Sequence, residues 1–125
     1  MGNRVFLNPD NIIEIEVVGD QNSASVELMA RQANILITQL KAVGKPQLVL
    51  DNLLQMGSVD PEARKLVVEV AKRMDYDRLA MLGHGGLMSF GANLMLRATG
   101  RGDRAHYFSD REEALRWLKE PRPGA

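Results

Sequence analysis

The chain has no cysteine. Disulfides, thiolate nucleophiles and cysteine-bound metals are excluded, and folding must rest on a hydrophobic core. Histidine is scarce: His84 and His106 are the only two, and they lack the His-x-x-x-His spacing of a helical metal site. No metal and no cofactor is expected. Neither sign of charge dominates, with 16 Lys and Arg against 16 Asp and Glu. No global field therefore draws the chain onto nucleic acid or an anionic membrane. No apolar run approaches the ~20 residues that span a bilayer, and the first residues form no apolar signal core. A cytoplasmic protein is the expectation. There is no Gly-x-Ser-x-Gly elbow, no phosphate-binding Gly-x-x-x-x-Gly-Lys-Ser/Thr and no complete Gly-x-Gly-x-x-Gly. No residue set names a reaction, and a non-enzymatic protein is expected.

What is present is ordinary for a globular domain: 45% hydrophobic and 26% charged residues in a length of 125. Residues 1–120 are expected to form one domain, and 121–125, rich in Pro and Gly, a disordered tail. Arg4–Leu7 reads as a short strand, and Asn8-Pro9-Asp10-Asn11 as a turn. In residues 12–18, Ile13, Ile15 and Val17 alternate with Glu14 and Glu16, the period of a half-solvated strand. Gly19 and Asp20 are expected to end it, and Glu14 and Glu16 to face water. Residues 23–43 form the clearest helix, with Val26, Met29, Ala33, Leu36, Leu40 and Val43 on one face and Leu28 and Ile35 widening it. Gly44 ends it in the left-handed conformation and Pro46 blocks continuation.

Residues 47–51 are a buried strand: Leu48, Val49 and Leu50 are apolar without alternation. The strand is expected to end at Asp51, before a loop of roughly nine residues. Asp60 then caps a helix with Pro61 at its first position, and Ala63, Leu66, Val67, Val70 and Met74 form its buried stripe. Arg78–Leu82 reads as a strand broken by Gly83-His84-Gly85-Gly86; 87–98 as an apolar helix containing Gly91; and 105–108 as the last strand. Ser109 with Glu112, or Asp110 with Glu113, caps the final helix. The order β-β-α-β-α-β-α-β-α predicts an α/β fold: one mixed, mostly parallel five-stranded sheet with an opening β-hairpin and four helices.

Candidate sites gather where ligands gather in such sheets, at the carboxyl ends of strands beside helix starts. Asp51, Ser58 and Asp60 mark one such corner, and Gly83, His84, Gly85 and Gly86 mark its neighbour. The glycine turn has two readings: backbone amides aimed at an anion, or a tight turn that needs positive φ. Asp60 is explained by capping alone. The apolar segment 87–98 reads as core, as a dimer face, or as the wall of a lipid or small-ligand pocket with an anionic headgroup held by Arg97 and neighbours Arg101 and Arg104. The leading expectation is a module that binds a protein partner or a second copy of itself; the alternative is a small-ligand or lipid binder.

Three features resemble the STAS fold family, whose founding members are bacterial anti-sigma-factor antagonists, and within it the SpoIIAA-like or STAS/Sec14-like branch. They are the opening hairpin ending at Val18-Gly19, the strand ending in Asp51, and the C-terminal AHYFSDREEALRWL with its Phe-x-x-x-x-x-Ala-x-x-Trp-Leu string. The resemblance implies a SpoIIAA/STAS-like single domain with a regulatory role. It also implies a serine, phosphorylated to switch binding to a partner kinase, where the helix after the central strand begins. Here that region is Ser58-Val59-Asp60-Pro61 in place of the usual Asp-Ser-Ser-Gly; Ser58, near the expected place, is the phosphorylation candidate, and the alternative is that Asp60 occupies the site itself.

Overall fold

A computed structural model of the chain describes residues 2–85 and 104–121. The described elements are β1 (Arg4–Leu7), β2 (Ile13–Gln21), α1 (Ser23–Ala42), β3 (Leu48–Val59), α2 (Pro61–Arg73), β4 (Arg78–Leu82), β5 (Ala105–Phe108) and α3 (Arg111–Lys119). The helix expected over 87–98 and the tail beyond 121 lie outside the described residues.

The strands lie in the order β1-β2-β3-β4-β5, so strand order follows chain order. The opening hairpin is antiparallel and every later pairing is parallel. Its turn is set by Asn8, whose Oδ1 accepts the amides of Asp10 and Ile12, and by Asn11 at φ 61. The alternation of β2 sends Ile13, Ile15 and Val17 to the face covered by α1 and α2. There they meet Met29, Ala33, Ile37, Leu40, Val49, Leu53 and Met74. The other face carries Ile12, Leu50, Ala80 and Leu82 against Ala114 and Leu118 of α3. Both faces of β3 and β4 are thus covered, as the unbroken apolar runs require.

Three helix starts are capped by short polar side chains. Asn22 accepts from Ser25 N–H in a capping box, Asp60 accepts from Ala63 N–H, and Asp110 accepts from Glu112 N–H. Gly44, at φ 71, follows the end of α1 as expected.

Several expectations need correction. β2 does not stop at Gly19 and Asp20; it runs on to Gln21, and β3 runs on with it from Asp51 to Val59 where a loop was expected. The polar string Asp51-Asn52 and Gly57-Ser58 hides this extension, because its backbone pairs with β2 while its side chains carry no strand pattern. Glu14 is not solvated. It is 3% exposed, receives 2.5 Å and 3.0 Å hydrogen bonds from Arg111 and Asn8, and faces α3. On α1 the buried face includes Ile37, whereas Leu28, Ile35 and Val43 are 56%, 59% and 66% exposed.

Candidate functional site

The extension of β3 is built around two bulges. Glu16 lies opposite Asn52 but Val18 lies opposite Gln55; Gly19 lies opposite Met56 but Gln21 lies opposite Val59. Each shift inserts one extra residue in β3 and frees an amide from the ladder. Local side chains take up both: Asn52 Oδ1 accepts Leu54 N–H at 3.1 Å, and Asp20 Oδ1 accepts Ser58 N–H at 2.8 Å. Buried Gln21 locks the turn of β2. Its Nε2 donates to the carbonyls of Val18 and Gly19, and its Oε1 accepts from Asn3 and Ser25. Gly19 sits at φ 75, which a side chain would resist. The result is a two-stranded tongue that carries Ser58 and Asp60 past the end of β4.

Gly57 is the steric condition of this tongue. A Cβ there would stand 2.3 Å from Asp20 Oδ1 and 3.1 Å from the Gly19 carbonyl carbon. Gly57→Ala is therefore expected to displace Asp20, orphan the Ser58 amide and cost about 1–2 kcal/mol. Urea unfolding measures the loss, and hydrogen exchange at the Ser58 amide should speed at least tenfold while β4 amides are unchanged. Unchanged exchange at Ser58 would show that the tongue does not depend on Gly57.

The structure places the sequence-predicted residues at two levels. Asp51 pairs with Ile15 and Met81, inside the sheet rather than at its rim. It shares the α1/α2 face with Val49 and Leu53, and burial among these apolar neighbours pushes its carboxyl up to about 7. Just above it, β4 ends and the glycine turn begins. Gly83 N–H donates to Phe108 O at 3.0 Å, Gly85 sits at φ 72, and Tyr107 Oη lies 3.5 Å from Gly85 O. The turn thus uses the positive φ that only glycine adopts freely. His84 is exposed beside it. Ser58 lies well beyond the Asn52–Leu82 pair, roughly 13 Å further along the sheet at about 3.3 Å per residue once the two bulge residues are left out. Because β3 and β4 are parallel, both levels lie toward the same end of the sheet. Gly86 and Arg97 lie outside the described residues, as does the pocket expected beneath 87–98. Arg104 leans on Tyr76, donating to its carbonyl at 3.4 Å.

Two groups suited to an anion are already filled by the chain's own carboxylates. Asp60 caps α2 through Ala63 N–H at 2.8 Å. Asp20 holds the Ser58 amide, and its carboxyl lies below the usual carboxylate range because of that amide first and the Ser58 hydroxyl second. Asp20, Gln21, Asn3 and Gly57 were not singled out by sequence reasoning; the available signal was the match of Gly19-Asp20 with Gly57-Ser58 in parallel register. Among the described residues no group of three His, Asp or Glu side chains is placed to hold a metal ion, and no helix is long and apolar enough to cross a membrane.

The chain matches no protein-family model and no curated protein. Solved structures do match. An uncharacterized protein of the DUF3478 family with a SpoIIAA-like fold, from Shewanella loihica PV-4, superposes with a TM-score of 0.66 at 18% identity, over 94% of this chain and 92% of that one. The anti-sigma factor antagonist SpoIIAA in its unphosphorylated form superposes with a TM-score of 0.63 at 13% identity, over 96% of this chain and 100% of that one. The class is therefore a SpoIIAA-like α/β fold: a mixed five-stranded sheet flanked by helices. Identities this low carry the fold and leave activity to be argued from this chain's own residues.

Proposed function

We propose that this protein is a non-enzymatic, cytoplasmic regulatory module that acts by contact with a protein partner or with a second copy of itself. The contact surface is the end of the sheet where the β2–β3 tongue presents Ser58 and Asp60 above Asp51, Gly83, His84 and Gly85, with Gly86 and Arg97 continuing it in sequence. The observation that carries this reading is the tongue. Two bulges and the side chains of Asn52, Asp20 and Asp60 hold the strand end in one shape, which is costly ordering for its last residues, Gly57 and Ser58, which are exposed and belong to neither core. The SpoIIAA neighbour, an anti-sigma factor antagonist described in its unphosphorylated form, supports a regulatory role by fold.

Ser58 is the proposed switch. A phosphate there adds close to two negative charges at pH 7 beside the Asp20 carboxylate that now holds the Ser58 amide. Repulsion would break that bond and open the tongue. Quantitative co-purification with wild type, Ser58→Ala and Ser58→Glu tests both levels. Partners common to wild type and Ser58→Ala, and depleted at least fivefold by Ser58→Glu, are expected. Retention of those partners by Ser58→Glu would remove the switch, and a strict monomer enriching nothing over a tag-only control would remove the module.

A further inference from the structure

Four large apolar side chains are exposed among the described residues, and Leu28, Ile35 and Val43 belong to α1 or its C-cap. Leu28, Ile35 and Ala42 recur every seven residues, so they share one stripe with only a slow drift around the helix. That stripe is on the side of α1 away from the sheet, because Val26, Met29, Ala33, Ile37 and Leu40 are the buried ones. One flank carries Arg31 and Thr38 and, further round, Glu27, Asn34 and Lys41 at the same seven-residue spacing, with Glu27 and Asn34 beside α2. The other flank carries Gln32 and Gln39, without charge.

We infer that α1 is a self-association face, joining two copies antiparallel about a two-fold axis through Ile35. An isologous contact must match itself under two-fold rotation, and this sequence does. Rotation sets Ile35 on the partner's Ile35 and Leu28 over the partner's Ala42. It brings Glu27 alongside the partner's Lys41 twice, with Asn34 facing its own copy. The charges run negative to positive along one flank, so an antiparallel pair places opposite signs together while a parallel pair stacks like on like. Glu27 now pairs with Arg31 on the same helix and Lys41 with Asp75. Both are exposed surface pairs of small energy that can be shared across the contact. The helix is about 30 Å long, so the interface is at the small end of specific contacts and the dimer is a weak one. The inference stands apart from the proposed site, since α1's outward face is not part of the tongue.

Light scattering and sedimentation from about 10 to 500 µM test it on the full chain. The wild type is expected to pass from monomer to dimer in that range. Ile35→Glu should weaken association at least tenfold with an unchanged melting temperature. Glu27→Lys should weaken it about fivefold, and Glu27→Lys with Lys41→Glu should recover most of that loss. The lack of native cysteine allows a geometric check. Ile35→Cys lies at the axis and should oxidise to a cross-linked dimer. Leu28→Cys should not, since its two copies lie about 21 Å apart along the helices. A wild type that stays monomeric to 500 µM overturns the inference, as does an Ile35→Glu variant that associates like the wild type. Self-cross-linking by Leu28→Cys as fast as by Ile35→Cys overturns the antiparallel arrangement.

Discussion

At pH 8, Asp51→Asn is expected to be more stable than the wild type by about 2–4 kcal/mol, and at pH 4 by almost nothing. The carboxyl of Asp51 lies on the α1/α2 face between Ile15 and Met81, and burial raises it from 3.8 to about 7. Below the unfolded value both states hold the proton and there is no penalty. Between roughly 4 and 7 the unfolded chain ionises while the folded one keeps its proton, so stability falls as pH rises, by up to about 1.4 kcal/mol per unit. Above about 7 both states are ionised and the loss levels off near 4 kcal/mol, a ceiling because the residue is half-buried rather than sealed. Asn keeps the shape and removes the charge, so the wild-type minus variant difference should trace this curve. Urea unfolding of both proteins from pH 4 to pH 9 measures it, and a difference independent of pH would show that Asp51 is ionised and solvated in the folded state.

The second large effect is at the opposite face. Glu14 is buried and held by Arg111 and Asn8. Arg111→Met is expected to cost about 2–4 kcal/mol, because it leaves a carboxylate in the sheet with only the Asn8 amide as partner. Glu14→Gln alone should cost less. The double variant should be more stable than the sum of the two changes predicts, by a coupling of about 1–3 kcal/mol. Additive losses would mean that Arg111 is a surface residue whose contact with Glu14 is energetically empty. The bond joins β2 to the first turn of α3, so the same measurement reports on how firmly the last helix is fastened.

Much of the fold was legible because apolar spacing is enforced by the core. Ile13, Ile15 and Val17 could face only one way, and the run Leu48–Leu50 had to lie where both faces are covered. Pro61 and Asp60 located the start of α2, and Gly44 the end of α1. What was hidden has a common cause. The tongue is held by backbone pairing and by side chains of Asp20, Asn52 and Gln21 reaching freed amides and carbonyls, interactions that leave no periodic trace. Glu14 was misread for a related reason: alternation says that it points away from the α1 face, and a second helix covers the face it points to. Leu28 and Ile35 were assigned to the core because an apolar residue on an amphipathic helix is usually inside; seven-residue spacing on the far side of α1 separates them from it. At the candidate site, the sequence reading set Asp51 and the Gly83 turn at one rim of a mostly parallel sheet; Asp51 lies one level deeper, beside Met81. It set Asp51 at a strand end because the polar residues after it resemble a loop.

The sheet's order has a further meaning for how the chain is made. Each strand adds beside the one synthesised just before it, so the growing sheet never waits for a distant segment to fill a gap at its centre. The longest reaches among the described residues come last: Arg111 donates back to Glu14, Lys119 to Asp10, and Arg78 donates to the carbonyls of Trp117 and Glu120. A nascent chain stalled before α3 would carry an assembled platform on which Ile12, Leu50, Ala80 and Leu82 lack their α3 cover and Glu14 has lost Arg111. Docking of α3 is then the step that covers that face, which makes this helix a seal as much as a layer.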